Sequence, residues 1–202
     1  MRRSEKWSQQ MIILIGGTGY AGKTLMAQKL LEKYKYPSMS IDHLKMGLYR
    51  ADIGCGFTPD DNDELISEKL WPVLKGIIMT CVENNQNLII EGCYLLPDKI
   101  KELDDAYLAD IILFYIGFSK PYIEKHYKSK ILKHRSVIEQ RGELCDEWDV
   151  MEKYITLNEN QKETCEKHGA LYFEIQNDYE KEIACVYDWI DSEILRKLPP
   201  TK

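Results

Sequence analysis

Gly17-Thr18-Gly19-Tyr20-Ala21-Gly22-Lys23-Thr24 fits the spacing G-x-x-x-x-G-K-[ST], and its flanks decide the fold. Before it stands Met11-Ile12-Ile13-Leu14-Ile15, a continuous apolar run that predicts a strand buried on both faces. After it comes Leu25-Met26-Ala27-Gln28-Lys29-Leu30-Leu31, with apolar residues at helical spacing. A glycine-rich turn between strand and helix directs successive backbone N–H groups into one concavity, and the helix N-terminus adds partial positive charge. Lys23 then reaches the β- and γ-phosphates of a nucleoside triphosphate, and the Thr24 hydroxyl reaches Mg²⁺. Gly17 to Thr24 therefore predicts a site for ATP and Mg²⁺; the sequence does not separate ATP from GTP.

Four more strands alternate with helices. Pro37 to Ile41 leads into a helix over Asp42 to Arg50, and Asn87 to Ile90 follows a long helical stretch from Asp63 to Asn84. Pro72 predicts a kink in that stretch near Trp71. Ile111 to Ile116 is the strongest strand after the first, and Ala170 to Ile175 the last. A closing helix over about Asp178 to Leu195 turns Ile183, Val186, Tyr187, Ile190 and Ile194 inward. The alternation predicts a three-layer α/β domain, a five-stranded parallel sheet with helices on both faces. Ligands of such sheets lie beyond the carboxyl ends of the strands. The residues to read are thus Gly16 to Thr24, Asp42 to Lys45, Glu91 to Tyr94, Phe118 to Lys120, and Gln176 to Asp178.

One segment departs from the pattern. Between Ser119 and Gly169 there is no strand, only a charged, helical stretch with Lys128, Lys130, Lys133, His134, Arg135 and Arg141. It predicts a helical lid at about 126 to 148 inserted in a single domain spanning residues 1 to 202. Such a segment brings guanidinium groups onto a transferring phosphoryl, which assigns Arg135 and Arg141 to catalysis; an exposed charged helix is the alternative.

The 202 residues suffice for one α/β domain with a large core. A net charge of −6 argues against a nucleic-acid backbone as partner, and no stretch has the length of a membrane span. The short apolar run after polar Ser4 to Gln10 does not make a signal peptide, so the chain is expected in the cytoplasm, as monomer or homodimer. Six cysteines without a C-x-x-C pair and four scattered histidines predict neither a disulfide framework nor a zinc site. Cys55 and Cys93 flank the cleft, and one of them is a candidate reactive thiol.

Asp42, directly after the second strand, faces the γ-phosphate in this architecture and suits a base for a substrate hydroxyl; capping the next helix is its other use. Lys45 shares its helical face. The pair fits an acceptor carrying a hydroxyl and an anionic group, or else Lys45 is a solvated partner of Asp42. Arg50 is a second candidate for that anion. Glu91, ending the third strand, resembles the acidic element that holds Mg²⁺ through water, and a bond to Lys23 or backbone in the empty state is its compatible structural use; Gly92 permits close approach of backbone or ligand. Asn177 is a candidate contact for the base of the nucleotide.

Together these residues resemble the small P-loop kinases with the adenylate-kinase-like fold, over most of the chain. Asp42-His43-Leu44-Lys45 stands where adenylate kinases carry D-x-x-R. This element and Ile90-Glu91-Gly92 look closer to zeta-toxin-like, 2-phosphoglycerate-kinase-like and chloramphenicol-phosphotransferase-like kinases. The resemblance implies an ATP-dependent kinase of a small-molecule hydroxyl, with Asp42 as base and Lys23 neutralising charge. The lid is poor in arginine and a Walker B aspartate is missing, which departs from nucleoside monophosphate kinases. A nucleoside monophosphate kinase and a non-catalytic nucleotide-binding regulatory module remain the alternatives.

Overall fold

A computed structural model describes residues 10–51, 54–133 and 148–197. Five parallel strands, β1 (Ile12–Gly17), β2 (Ser38–Ser40), β3 (Leu88–Glu91), β4 (Ile111–Phe118) and β5 (Tyr172–Ile175), form one sheet in the order β2-β3-β1-β4-β5. Helices α1 (Lys23–Tyr34), α2 (Ile41–Ala51), α3 (Asp63–Glu83), α4 (Pro97–Ile100), α5 (Asp105–Leu108), α6 (Lys120–His126), α7 (Trp148–His168) and α8 (Tyr179–Lys197) connect and flank them. The expected α/β class and parallel sheet are those observed.

Alternation along β1 explains why its apolar run is unbroken. Ile13 and Ile15 join Met26 and Leu30 of α1 and Ile183, Val186, Ile190 and Ile194 of α8 on one face. Ile12 and Leu14 join Ile66, Leu70, Leu74 and Ile78 of α3 on the other. Each such side chain contributes roughly 1.5–3 kcal/mol by leaving water. Of the inward residues expected on α8, Tyr187 is half-buried at the margin of the first cluster.

Strand ends differ from expectation where neighbours extend the ladder. β1 continues through Gly16 and Gly17 because these pair with Tyr115 and Ile116, and β4 continues to Phe118 because Gly117 and Phe118 pair with Glu174 and Ile175. Pro72 lies inside a single helix, α3. The short α4 and α5 between β3 and β4 have no counterpart in the sequence reading; four-residue helices carry too little periodicity to read. The strandless insertion is helical where described: α6, a π-helical stretch Tyr127–Leu132, then α7. Most of the expected lid, residues 134–147 with Arg135 and Arg141, lies outside the described residues.

The strand order positions the site. With β3 between β1 and β2, the carboxyl ends that carry the glycine-rich loop, Glu91 and Asp42 stand side by side. The outer two are separated by two inter-strand spacings, roughly 10 Å.

Candidate active site

The loop leaving β1 turns into α1 at Gly22, where φ is +89°. A Cβ there would sit 2.1 Å from Tyr179 Oη, so both the backbone angle and the packing require glycine. Lys23, the first residue of α1, is buried, and its ammonium donates to the Thr18 carbonyl at 2.6 Å and to Cys93 Sγ at 3.5 Å. It is folded back onto its own loop. Cys93 is no reactive thiol: burial pushes it up, outweighing the pull of Lys23, so it stays protonated at neutral pH. Cys55 donates to the Phe57 carbonyl at 3.3 Å. All five cysteines among the described residues are free.

Thr24 and Glu91 meet beside the lysine. The Thr24 hydroxyl donates to Glu91 Oε1 at 3.3 Å, and Glu91 is buried. Glu91 thus takes Thr24, not Lys23, as its partner. Ser40 faces Glu91 across the β2–β3 register, and its buried hydroxyl has no hydrogen-bond partner among the described residues. A threonine hydroxyl, a carboxylate and an orphaned serine hydroxyl form a hard oxygen set that fits Mg²⁺ held by few protein groups, water and phosphates. Among the described residues there is no cluster of three or more His, Cys, Asp or Glu that would hold a metal by itself.

Asp42 lies in the first turn of α2, which begins one residue earlier at Ile41, so it does not cap that helix. The helix N-terminus favours its negative charge. Gly92 lets α2 sit this close to β3: a Cβ on it would fall 2.8 Å from Ile41 Cβ. The close approach that glycine permits is therefore to α2. Lys45 is 9% exposed, too buried to be a solvated surface lysine. Its ammonium lies 3.6 Å from Asp42 Oδ1 and donates to Tyr94 Oη at 2.7 Å. Burial works against its charge, but Tyr94 and Asp42 outweigh that and hold it above the ordinary lysine value.

Tyr94 and Asp63 complete this side of the cleft. Tyr94 falls within the stretch flagged after β3, but without a role; only the structure shows its hydroxyl on Lys45 and its carbonyl accepting from Ser67 Oγ at 2.9 Å. Asp63, one turn before Ser67 on α3, lies within electrostatic reach of Lys45, Lys23 and Asp42. Desolvation and the neighbouring Glu64 and Asp42 raise its carboxyl above the usual range, against the pull of the two lysines. Its sequence signal is merely that of a helix N-terminus. Arg50 is exposed in the last turn of α2, two turns from Asp42.

At the far end of the site, Glu182 reaches back from α8 to the β5–α8 loop. Its two carboxylate oxygens accept the backbone N–H groups of Gln176, Asn177 and Asp178, each at 2.7 Å. Asn177 is exposed, and its N–H is engaged by Glu182. Burial raises the Glu182 carboxyl, but the three N–H donors outweigh it and hold the group below its usual value. A depressed folded pKa contributes stability above the unfolded value of about 4.3 that fades as pH falls through the folded one. Glu182→Gln is therefore expected to cost about 1–2 kcal/mol at pH 7, the worth of charge-assisted hydrogen bonds, with the deficit shrinking below pH ~4. Thermal unfolding of both proteins across pH 3–8 measures it.

Residues 2–116 of the 202 match the family model for zeta toxin, more than half of the chain. No curated protein matches the sequence. Among solved structures, the chain is similar to shikimate kinase from Bacteroides thetaiotaomicron, with 15% identity, a TM-score of 0.58, and 90% of this chain and 98% of that one covered. It is likewise similar to shikimate kinase from Acinetobacter baumannii in complex with shikimate, at 16% identity and TM-score 0.57 over 91% and 94% of the two chains. A third, shikimate kinase from Aquifex aeolicus, shares 14% identity and a TM-score of 0.55 over 92% and 99%. At such identities the likeness is one of fold. The fold is that of the P-loop kinases, and the chain belongs to the zeta toxin family.

Proposed function

We propose that this protein is an ATP-dependent kinase that transfers the γ-phosphoryl group to a hydroxyl of a small metabolite. The family and fold support a phosphotransferase. The observation that carries the finer reading is the row of three adjacent strand ends. They set a buried lysine on the phosphate loop, the Thr24–Glu91 pair, and Asp42 with Lys45 and Tyr94 side by side.

In this reading the N–H groups of Gly17 to Thr24 bind the phosphates, and Lys23 turns from the Thr18 carbonyl to the β- and γ-phosphates. Thr24 and Glu91, with Ser40 beside them, hold Mg²⁺, which when bound neutralises charge on the phosphates. Asp42 accepts the acceptor's hydroxyl proton as the oxygen bonds to the γ-phosphorus and the bond to the β–γ bridging oxygen breaks, releasing ADP. Lys45, itself held by Tyr94, steadies the Asp42 carboxylate, and Asp63 and Arg50 border the acceptor side. Arg135 or Arg141 supplies a guanidinium to the transferring phosphoryl, and Asn177 borders the base.

The test is incubation of the protein with γ-labelled ATP, Mg²⁺ and a metabolite extract. A new labelled small molecule is expected, formed by the wild type and not by Asp42→Asn. Labelled nucleoside diphosphates formed from a monophosphate panel would make it a nucleoside monophosphate kinase. Tight nucleotide binding with no transfer to any acceptor would make it a regulatory module.

A further inference from the structure

We infer that Tyr154 and Asn158, one turn apart on α7, are positioning residues for nucleotide binding that hold the phosphate loop in the shape its ligand needs. The inference rests on Mg-ATP occupying the Gly17 to Thr24 loop.

A loop that turns its N–H groups inward turns carbonyls outward, and each buried outward carbonyl needs a donor. For Gly19 that donor is the Tyr154 hydroxyl, at 2.6 Å. Thr18 is fastened through its side chain: its hydroxyl donates to Asn158 Oδ1 at 2.9 Å. The same oxygen accepts the N–H of Phe118 at 2.8 Å, and the Asn158 amide donates to the Tyr154 carbonyl at 2.8 Å. Asn158 is 1% exposed, so it is a buried joint between the loop, the end of β4 and α7. Burial pushes the Tyr154 phenol far above its ordinary value, so it remains a donor at any physiological pH.

The loop has a reason to leave this shape. Tyr20 sits at φ +60°, in the left-handed region that side chains other than glycine enter at a cost. Turning over the Gly19–Tyr20 peptide would relieve that angle. It would also place the Gly19 oxygen where a phosphate requires an N–H. Tyr154 opposes this from both sides of the peptide, through its hydroxyl on the Gly19 carbonyl and its ring against the Tyr20 ring, with centroids 6.1 Å apart. Neither α7 tether involves Lys23, so its departure from the Thr18 carbonyl for the phosphates breaks neither of them. No motif leads to them, since they stand 135 and 140 residues from the atoms they hold.

The measurement is Mg-ATP affinity by titration calorimetry, well below the unfolding midpoint. Tyr154→Phe keeps the ring and loses the donor, and its dissociation constant is expected to rise about five- to tenfold. Adding Tyr20→Gly removes the strain that drives the peptide over, and should recover at least about half of that loss on a logarithmic scale. The melting point should not recover with it, because the strain that glycine relieves is offset by the lost Tyr20–Tyr154 ring contact and by the greater freedom of glycine in the unfolded chain; a merely structural role would move affinity and melting together. Asn158→Ala, measured in parallel in case the phenylalanine variant does not fold, is expected to weaken binding by a similar factor. Both single variants binding within about twofold of wild type, or a double variant no better than Tyr154→Phe, overturns the inference. A wild-type protein that binds no Mg-ATP overturns the phosphate-loop reading beneath it.

Discussion

Asp42→Asn is expected to lower turnover by about 10²–10⁴ while Mg-ATP affinity stays within about threefold of wild type. The asparagine has the same shape but cannot take up a proton, so the loss falls on the step in which the acceptor hydroxyl gives one up. The local fold should survive. Lys45 loses a partner at 3.6 Å but keeps the shorter bond to Tyr94 Oη, and Tyr94 is itself fixed to α3 through Ser67. Asp42 also does not cap α2, so no helix end is unfastened by the change. Steady-state rates and calorimetric affinity, taken on the same preparation, separate the two outcomes. An equal fall in binding and rate would make Asp42 a structural partner of Lys45 and sink its role as base.

The sheet was legible because four of its five strands lie in short apolar runs ended by a turn or helix signal; β2, Ser38–Ser40, is the exception, and only its place between two helical stretches marks it. The run before the phosphate loop shows why: its odd and even residues enter different cores, so each position had to be apolar. Ends were less legible than centres. Whether Gly16, Gly17, Gly117 and Phe118 extend their strands depends on which strand lies alongside, and pairing partners leave no local trace.

In the site, residues directly after a strand were legible and residues carried in from other elements were not. Lys23, Thr24, Asp42, Lys45 and Glu91 are candidates by position, and the structure brings them to three adjacent strand ends. Their partners were hidden. Ser40 became notable only as a buried hydroxyl without a partner opposite Glu91, and Asp63 only because α3 carries it back toward two lysines. Lys45 was legible as a cation beside Asp42, but its burial and its bond to Tyr94 are long-range facts, 49 residues apart in the chain. Tyr154 and Asn158 lie in a stretch that reads only as charged helix.

Lys23→Met should separate function from stability in the clearest way. The ammonium is buried, and in the absence of nucleotide its hydrogen-bond partners among the described residues are a neutral carbonyl and a neutral thiol, with only the unbonded attraction of the Asp63 carboxylate besides. A charge so placed forfeits more hydration than these partners return, so it stabilises the empty protein little. Methionine keeps the apolar stem and removes that cost; without ligand, the variant is expected to melt at or a few degrees above the wild type. The nucleotide response should shrink to between about one-sixth and one-half of the wild-type shift at the same Mg-ATP concentration. Mg-ATP at a hundred times its dissociation constant contributes about 2.7 kcal/mol to the folded state, which for a chain of 202 residues raises the midpoint by roughly 5–10 °C. With Lys23 gone the phosphates lose a charge-assisted donor worth about 1.5–3 kcal/mol, and affinity falls by roughly 10–10²-fold. Thermal unfolding with and without Mg-ATP reads both effects at once. A variant that melts well below wild type without ligand would show that Lys23 holds the loop together rather than waiting for phosphate. One that keeps the full shift would remove the lysine, and with it the phosphate loop, from nucleotide binding.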